Sequence, residues 1–149
     1  MAHTTTDVEA ANEWTVRRLK SELNEGNLDV LDELFDSGYR TRMIRAGSGE
    51  TVGDREGLRG LTEEYLMAFP DYTERIVEIL ADGDRVATYS EITGTHEGPF
   101  RGIEPTGESV RFNSFDLFWL RDGKIVRSTG LVGWPTLLSQ LGAELPIVG

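Results

Sequence analysis

The sequence predicts an α+β fold in which helices from the first half of the chain pack on a curved sheet built mainly by the second half. Helical periodicity of apolar residues ends near residue 69, strand-like segments follow, and Asp-Gly pairs separate these segments. Helices followed by strands are typical of α+β domains with the helices on one sheet face. We expect one domain over 1–149, with a disordered tail at 1–6.

The helices of the first half are predicted from apolar residues that recur every three or four positions. In the first helix, Val16, Leu19 and Leu23 form the apolar face, and Lys20 is assigned to the polar face opposite. The predicted helices cover residues 7–25, 28–35 and 54–69, with a short strand over 39–44 and a loop over 46–50.

The second half is predicted to form an antiparallel meander. Asp82-Gly83 and Asp122-Gly123 are pairs that favour two-residue hairpin turns. A short helix from Trp134 closes the chain. Both faces of the strands carry apolar residues, so one face is expected to pack on helices and the other on a second subunit. The predicted strands cover residues 72–80, 85–95, 108–121 and 124–132.

The composition excludes several classes of function. A net charge of −11, with only two lysines, disfavours a nucleic-acid partner. The absence of cysteine and the wide separation of two histidines predict no disulfide, no metal site and no cofactor. No apolar run is long enough for a membrane span or a secretory signal, so we expect a cytoplasmic protein. The acidic excess suits a protein that works in concentrated salt, or is a solvated surface encoded by an Arg-biased genome.

Six short motifs follow one another along nearly the whole chain: Asn24–Phe35, Phe69–Tyr72, Gly94–Gly98, Pro105–Gly107, Asp122–Ile125 and Gln140–Gly142. Together they resemble the SnoaL-like polyketide cyclase family. The resemblance implies a cone-shaped α+β barrel, also used by ketosteroid isomerase and limonene epoxide hydrolase. It further implies three N-terminal helices on the concave face of the sheet, a short C-terminal helix, and a homodimer across the outer face.

A geometric argument predicts which strand residues face the pocket. If Asp122-Gly123 forms a two-residue turn, Arg121 pairs with Lys124 and alternate residues of the two strands share a face. On this register Asp116 lies on the outer face, paired with Arg127, unless a bulge shifts the strands. The predicted pocket face carries Asn113, Phe115, Trp119, Ser128 and Gly130.

The resemblance also implies catalytic residues that this sequence replaces. The family's histidine and first aspartate on the last strand align with Ser128 and Gly130, and a histidine after Tyr39 aligns with Arg42. The cyclases are thought to use the strand carboxylate as acid–base catalyst for an aldol ring closure, which neither serine nor glycine can perform. Arg42 could instead pair with an anionic ligand, or with a carboxylate of the protein.

Other candidates have two interpretations each. His96 and Glu91 are candidate acid–base groups, but His96 could equally bond the backbone of its loop, and Glu91 could be solvated or paired with an arginine. Tyr65, Phe69 and Trp134 could line a cavity for an aromatic ligand, although their spacing is also typical of plain core.

Three functions remain open from the sequence. The first is binding of a small, largely apolar, polyketide- or aromatic-like ligand without turnover. The second is a polyketide cyclase or isomerase that uses a different acid–base residue for ring closure or proton transfer. The third is an enzyme like an epoxide hydrolase, which would need two carboxylates and an arginine around a water, a set that the predicted pocket face does not supply.

Overall fold

The computed structural model describes residues 4–45 and 49–143, and the side chains of 43–45 and 49–52 are not among the described groups. Four helices and six strands form the α+β fold that the sequence predicts. No helix in these described ranges is long and apolar enough to cross a membrane. In chain order the elements are α1 (Asp7–Asn24), α2 (Val30–Leu34), β1 (Phe35–Arg45), β2 (Gly49–Asp54), α3 (Arg55–Ala68), β3 (Thr73–Asp82), β4 (Arg85–Thr95), β5 (Ser109–Arg121), β6 (Lys124–Val132) and α4 (Trp134–Gln140).

The six strands form one mixed sheet in the order β2-β1-β6-β5-β4-β3. The meander from β3 to β6 is antiparallel, as predicted, and β1 joins β6 in parallel. Strand β2 is an addition to the predicted elements, because the sequence predicts a loop over 46–50. Its residues Gly49 and Gly53 disfavour a strand, and pairing with β1 overrides that preference. Residues 46–48 of that predicted loop lie outside the described residues.

The first helix begins with a side-chain cap in the segment predicted to be a tail. Thr6 accepts a hydrogen bond from the backbone N–H of Glu9, and the Glu9 side chain accepts one from the Thr6 N–H. This reciprocal capping box fixes the helix start within the segment predicted to be a tail, and disorder over residues 1–6 stays a prediction. Residues 1–3 lie outside the described residues.

Two hydrophobic clusters fill the concave side of the sheet, one at each end. The first joins α1, α2 and β1 to the inner face of the meander, through residues such as Leu19, Leu31 and Phe118. The second joins the end of α3 and α4 to the other end of the same strands, through residues such as Phe69 and Phe112. The space between these clusters is where the fold leaves a cavity.

A bulge in β6 decides which residues face that cavity. Arg121 pairs with Lys124 across the Asp122-Gly123 turn, as predicted, and Leu120 pairs with Ile125. The next pair is Trp119 with Arg127, so Val126 is an extra residue without a partner. Because side chains alternate along a strand, this one-residue shift reverses the predicted faces of β5 relative to β6.

The Gly94–Gly98 motif packs the start of a long loop against the end of α3. A Cβ at Gly98 would lie 2.2 Å from the backbone oxygen of Met67, so only glycine fits there. The backbone N–H groups of Glu97 and Gly98 both donate to the Ala68 oxygen. The motif therefore closes the C-terminal end of α3, which lines the cavity.

Candidate functional site

A cavity of about 130 Å³ lies between the three N-terminal helices and the concave face of the sheet. Most of its wall is apolar. Apart from the buried Tyr65 and Lys20, the lining residues on α3 and at the end of α1 are half-buried, whereas those on β1, β5 and β6 are mostly buried, so the opening lies on the helix side. Its apolar lining includes Leu19, Leu23, Leu31, Phe35, Leu58, Leu61, Leu66, Ile92, Phe118 and Val132.

One cluster of charged side chains interrupts this apolar wall. The Nζ of Lys20 lies 2.7 Å from Glu74 Oε2 and 3.1 Å from Asp116 Oδ2, and all three side chains are at most one-fifth exposed. The ammonium also lies 5.3 Å from the centre of the Phe118 ring. The Tyr72 hydroxyl donates to the other oxygen of Glu74 at 3.4 Å. We call Lys20, Glu74 and Asp116 the ion cluster.

The ion cluster holds one cation between two carboxylates, and this sets its protonation. Burial raises the pKa of Asp116 above its usual value, and the negative charge of Glu74 adds to the rise, while Lys20 opposes it. Burial alone would lower the pKa of Lys20, but the charges of Asp116 and Glu74 outweigh burial and raise it. Lys20 therefore stays an ammonium, and Asp116 is a carboxyl group that accepts a proton more readily than an exposed aspartate.

A chain of three buried hydroxyls forms a second polar feature of the wall. The Tyr39 and Ser128 hydroxyls are hydrogen bonded at 2.5 Å, and Ser128 donates to the Thr41 hydroxyl at 3.0 Å. Burial raises the pKa of Tyr39, although hydrogen bonds from Ser128 and Thr41 counteract part of the rise. The phenol therefore stays protonated near neutral pH and acts as a hydrogen-bond donor.

The polar groups of the wall include residue types that acid–base chemistry uses. Among the described residues, no group of three or more His, Asp or Glu side chains is arranged to hold a metal ion. A carboxyl group with a raised pKa can take a proton and return it, and a fixed ammonium stabilises nearby negative charge. Two carboxylates around a cation, which the sequence analysis could not assemble, are thus present, with lysine in place of arginine.

Some predicted site residues do reach the cavity. Tyr65 of α3 and Ser128 of β6 line it, as predicted. Gly130 lies on the same side of β6 as Ser128 and pairs directly with Asp116. The ligand-binding roles of these residues remain predictions.

The bulge moves four other residues to the face opposite the one predicted. Asn113, Phe115 and Trp119 lie on the outer face: Phe115 is 56% exposed and stacks on Tyr89, and Arg127 covers the Trp119 ring at 4.0 Å. Asp116, predicted on the outer face with Arg127, lies in the cavity with Lys20. These predictions of facing were wrong because the extra residue Val126 shifts the strand register.

Three further candidates lie away from the cavity. Arg42 is exposed on β1, whereas its neighbours Tyr39 and Thr41 point inward. Phe69 and Trp134 are buried in the second hydrophobic cluster, each with its ring centre 5.5 Å from that of Phe100. These two aromatic residues therefore follow the core interpretation.

The two predicted acid–base candidates also have structural partners. His96 is fully buried, and its Nδ1 accepts the backbone N–H of Thr106 at 3.1 Å, which holds the loop after β4. Glu91 lies on the outer face, 3.5 Å from Arg75 on the adjacent strand. His96 therefore matches its interpretation as a histidine that bonds the backbone of its loop, and Glu91 matches its interpretation as a glutamate paired with an arginine.

Sequence reasoning missed Lys20 and Glu74. Lys20 was assigned to the polar face of α1, yet it follows Val16 by four residues and precedes Leu23 by three, so all three lie on one helical face. Helical spacing was therefore a signal that could have placed Lys20 in the core. The placement of Glu74 depends on strand register, which the sequence alone left open.

The comparisons with known proteins agree with this fold. The family model for SnoaL-like polyketide cyclases matches residues 13–141. IdmH from Streptomyces antibioticus, a candidate polyketide cyclase, is 32% identical, with a TM-score of 0.78 over 89% of this chain and 99% of that chain. AclR from Streptomyces galilaeus, a candidate hydroxylase, is 27% identical, with a TM-score of 0.82 over 95% of this chain and 86% of that chain.

A third solved structure supports the fold alone. It is a candidate SnoaL-like polyketide cyclase from Jannaschia sp. CCS1, 23% identical, with a TM-score of 0.84 over 97% of this chain and all of that chain. A search of curated proteins returned no match.

Proposed function

This chain belongs to the SnoaL-like polyketide cyclase family, and from that premise we propose that it is an enzyme. Its proposed reaction is proton transfer at a carbon next to a carbonyl group of a small, largely apolar ligand, leading to isomerisation or aldol-type ring closure. The observation that carries the proposal is the ion cluster, which places Asp116 and Glu74 around Lys20 on the wall of an apolar cavity.

Asp116 is the proposed acid–base residue. Its carboxylate takes the proton from the carbon and leaves an enolate on the ligand. The same proton then returns to another carbon of the enolate, or to the oxygen formed when the enolate carbon attacks a second carbonyl. The raised pKa of Asp116 suits both directions, because burial makes its carboxylate a stronger base than an exposed aspartate while its protonated form can still return the proton.

Lys20 and the buried hydroxyls would support this step. Lys20 fixes one oxygen of Asp116 at 3.1 Å and carries the positive charge nearest to it. Tyr39, Ser128 and Thr41 present hydroxyl groups on the same cavity, and O–H donors stabilise the negative oxygen of an enolate. Glu74 completes the ion cluster and keeps Lys20 in place.

The size of the cavity bounds the part of the ligand that it encloses. An apolar cavity of about 150 Å³ in another protein accommodates benzene. The present cavity, at about 130 Å³, therefore suits a group near the size of one ring. A larger polyketide-like molecule would extend through the opening beside α3.

Isotope exchange tests the proposal without knowledge of the natural substrate. Ring-sized ketones and β-diketones would be incubated with the protein in D2O, and deuterium at the carbon next to the carbonyl followed by NMR. We expect exchange above the buffer rate with the wild type and loss of that excess in Asp116→Asn. Asp82→Asn, which changes an exposed aspartate, is the matched control.

The same experiment distinguishes catalysis from binding without turnover. If Ser128 and Gly130 replace the family's histidine and aspartate, as the resemblance implies, the binding function is favoured, and the apolar wall supports it. Ligand binding without any exchange above buffer would contradict the enzyme and support the binding function.

We also propose that the protein forms a homodimer through the outer face of the sheet. A groove of about 510 Å³ lies on that face, and its lining includes Leu80, Ala87, Leu117, Leu131 and the exposed ring of Phe115. In a two-fold interface the same patch faces its own copy, so a protruding ring beside an apolar groove is self-complementary. The partner would thus be a second copy of this chain.

A further inference from the structure

Three buried hydroxyl groups next to Asp116 have no hydrogen-bond partner within the described part of the protein. They belong to Thr88 and Ser90 on β4 and Ser114 on β5, and each side chain is at most 3% exposed. A buried hydroxyl without a partner costs folding free energy, so such groups are rare in folded proteins and each one calls for an explanation, such as a functional role or a bound water. A role in ligand binding is the explanation argued below for these three.

The strand register gathers these hydroxyls around the proposed acid–base residue. Ser90 pairs directly with Ser114, and Thr88 pairs directly with Asp116. Side chains directly opposite on antiparallel strands have Cβ atoms about 5 Å apart. The four residues thus form one compact patch on the inner face, which we call the hydroxyl patch, and Ser114 and Asp116 of this patch line the cavity.

The chemistry of the hydroxyl patch selects one kind of ligand group. Serine and threonine hydroxyls can donate a hydrogen bond, whereas an ionised Asp116 can only accept one. Only one oxygen of Asp116 has Lys20 as its partner, at 3.1 Å. A ketone oxygen would satisfy the donors alone, and an ammonium group would satisfy the carboxylate alone. An oxygen that bears a hydrogen satisfies both.

We propose that the hydroxyl patch recognises a hydroxyl group of the bound ring, the O–H of a phenol or of an enol, which accepts from Ser114 and donates to Asp116. The proposal rests on the proposed function, because it assumes that the cavity encloses a ring-sized ligand. It goes further by naming a hydroxylated or enolised ring as the ligand class. It also makes Ser114 a residue that determines specificity.

Binding of phenol and toluene, two rings of similar size, tests the hydroxyl patch. Their affinities would be measured by NMR titration of the labelled protein. In Ser114→Ala we expect the preference for phenol over toluene to fall about five- to tenfold, the effect of one lost hydrogen bond. Thr93→Val, on the outer side of β4, is the control and should leave it unchanged.

A second measurement separates recognition from damage to the fold. Because the Ser114 hydroxyl has no partner among the described residues, Ser114→Ala should unfold at the same or a higher urea concentration than the wild type. If toluene binds and Ser114→Ala leaves the preference for phenol unchanged, the hydroxyl patch holds only water and the inference is overturned. If neither ring binds, the ring-sized pocket is overturned as well. If the wild type shows the phenol preference but no isotope exchange above the buffer rate, only the proposed catalysis is contradicted.

Discussion

Asp116 of β5 lies directly opposite Gly130 of β6 in the antiparallel pair. Since glycine has no side chain, no side chain from that strand position covers the flank of the carboxyl group. Lys20, which reaches Asp116 from α1, is shared with Glu74. Asp116 is therefore buried with only part of a compensating charge, which is the physical reason that its pKa is raised.

The first prediction concerns stability and pH in Asp116→Asn. The folded pKa of Asp116 is raised, so its contribution to stability is full below its unfolded pKa of about 3.9 and is lost as the pH rises through the folded pKa. Asparagine does not titrate. The free energy of unfolding of the variant, relative to wild type, should therefore increase between pH 4 and pH 8 in urea titrations.

The exposed Asp82 provides the control for this prediction, because Asp82→Asn should show a difference that does not change over the same pH range. A difference for Asp116→Asn that is independent of pH, or that decreases as the pH rises, would contradict the burial of an ionised carboxylate at this position.

The second prediction concerns Lys20→Met, which removes the cation from the ion cluster. Two buried carboxylates would then face each other without compensation, and loss of one partner from a buried ion pair costs about 3–5 kcal/mol. We expect a destabilisation in this range at pH 8, measured by urea unfolding, and a smaller one at pH 5, where a carboxyl group can take up a proton.

Two comparisons isolate the charge effect. Arg17→Met removes an exposed cation from the same helix and should cost about 1 kcal/mol or less. The double variant Lys20→Met/Asp116→Asn should recover part of the stability lost in Lys20→Met. If both single lysine and arginine variants lose the same stability, the ion cluster is not the cause.

Turn chemistry and alternation made the hairpins predictable, and a bulge made the site unpredictable. Asp122-Gly123 fixed the start of the β5–β6 pairing, and the observed bounds Lys124–Val132 coincide with the prediction. Val126, however, carries no residue type that marks a bulge, and that one extra residue exchanged Asn113, Phe115 and Trp119 for Asp116 on the cavity side. The burial of Lys20 is not predicted, because the charge of a lysine argues for the polar face of α1, whereas its spacing from Val16 and Leu23 argues for the apolar face.

The third prediction uses Asp71, whose carboxylate accepts from the backbone N–H and the hydroxyl of Thr95 at 2.7 and 2.8 Å. These hydrogen bonds lower the pKa of Asp71. Its contribution to stability is thus present above the unfolded pKa of about 3.9 and is lost as the pH falls through the folded pKa. In Asp71→Asn we expect a loss of about 1 kcal/mol at most at pH 7, because the group is exposed and screened.

Chemical denaturation at pH 7 and at pH 2.5 measures the third prediction. The difference between Asp71→Asn and wild type should shrink at the lower pH, as the wild-type carboxylate takes up its proton. A loss of equal size at both pH values would assign the effect to the shape of the side chain rather than to its charge.

The last prediction concerns the outer face, where Phe115 is exposed beside an apolar groove. If two copies meet there, light scattering coupled to size exclusion should give twice the 16.6 kDa mass of one chain. Phe115→Arg would place a charge in the centre of the desolvated patch and should yield the single-chain mass at the same concentration. Met67→Arg alters an even more exposed apolar residue on α3 and should leave the dimer intact. If the wild type shows the mass of a single chain at 100 µM, on the order of the Kd of a weak complex, the homodimer is refuted. If the wild type and both variants are dimers, the contact lies elsewhere on the protein.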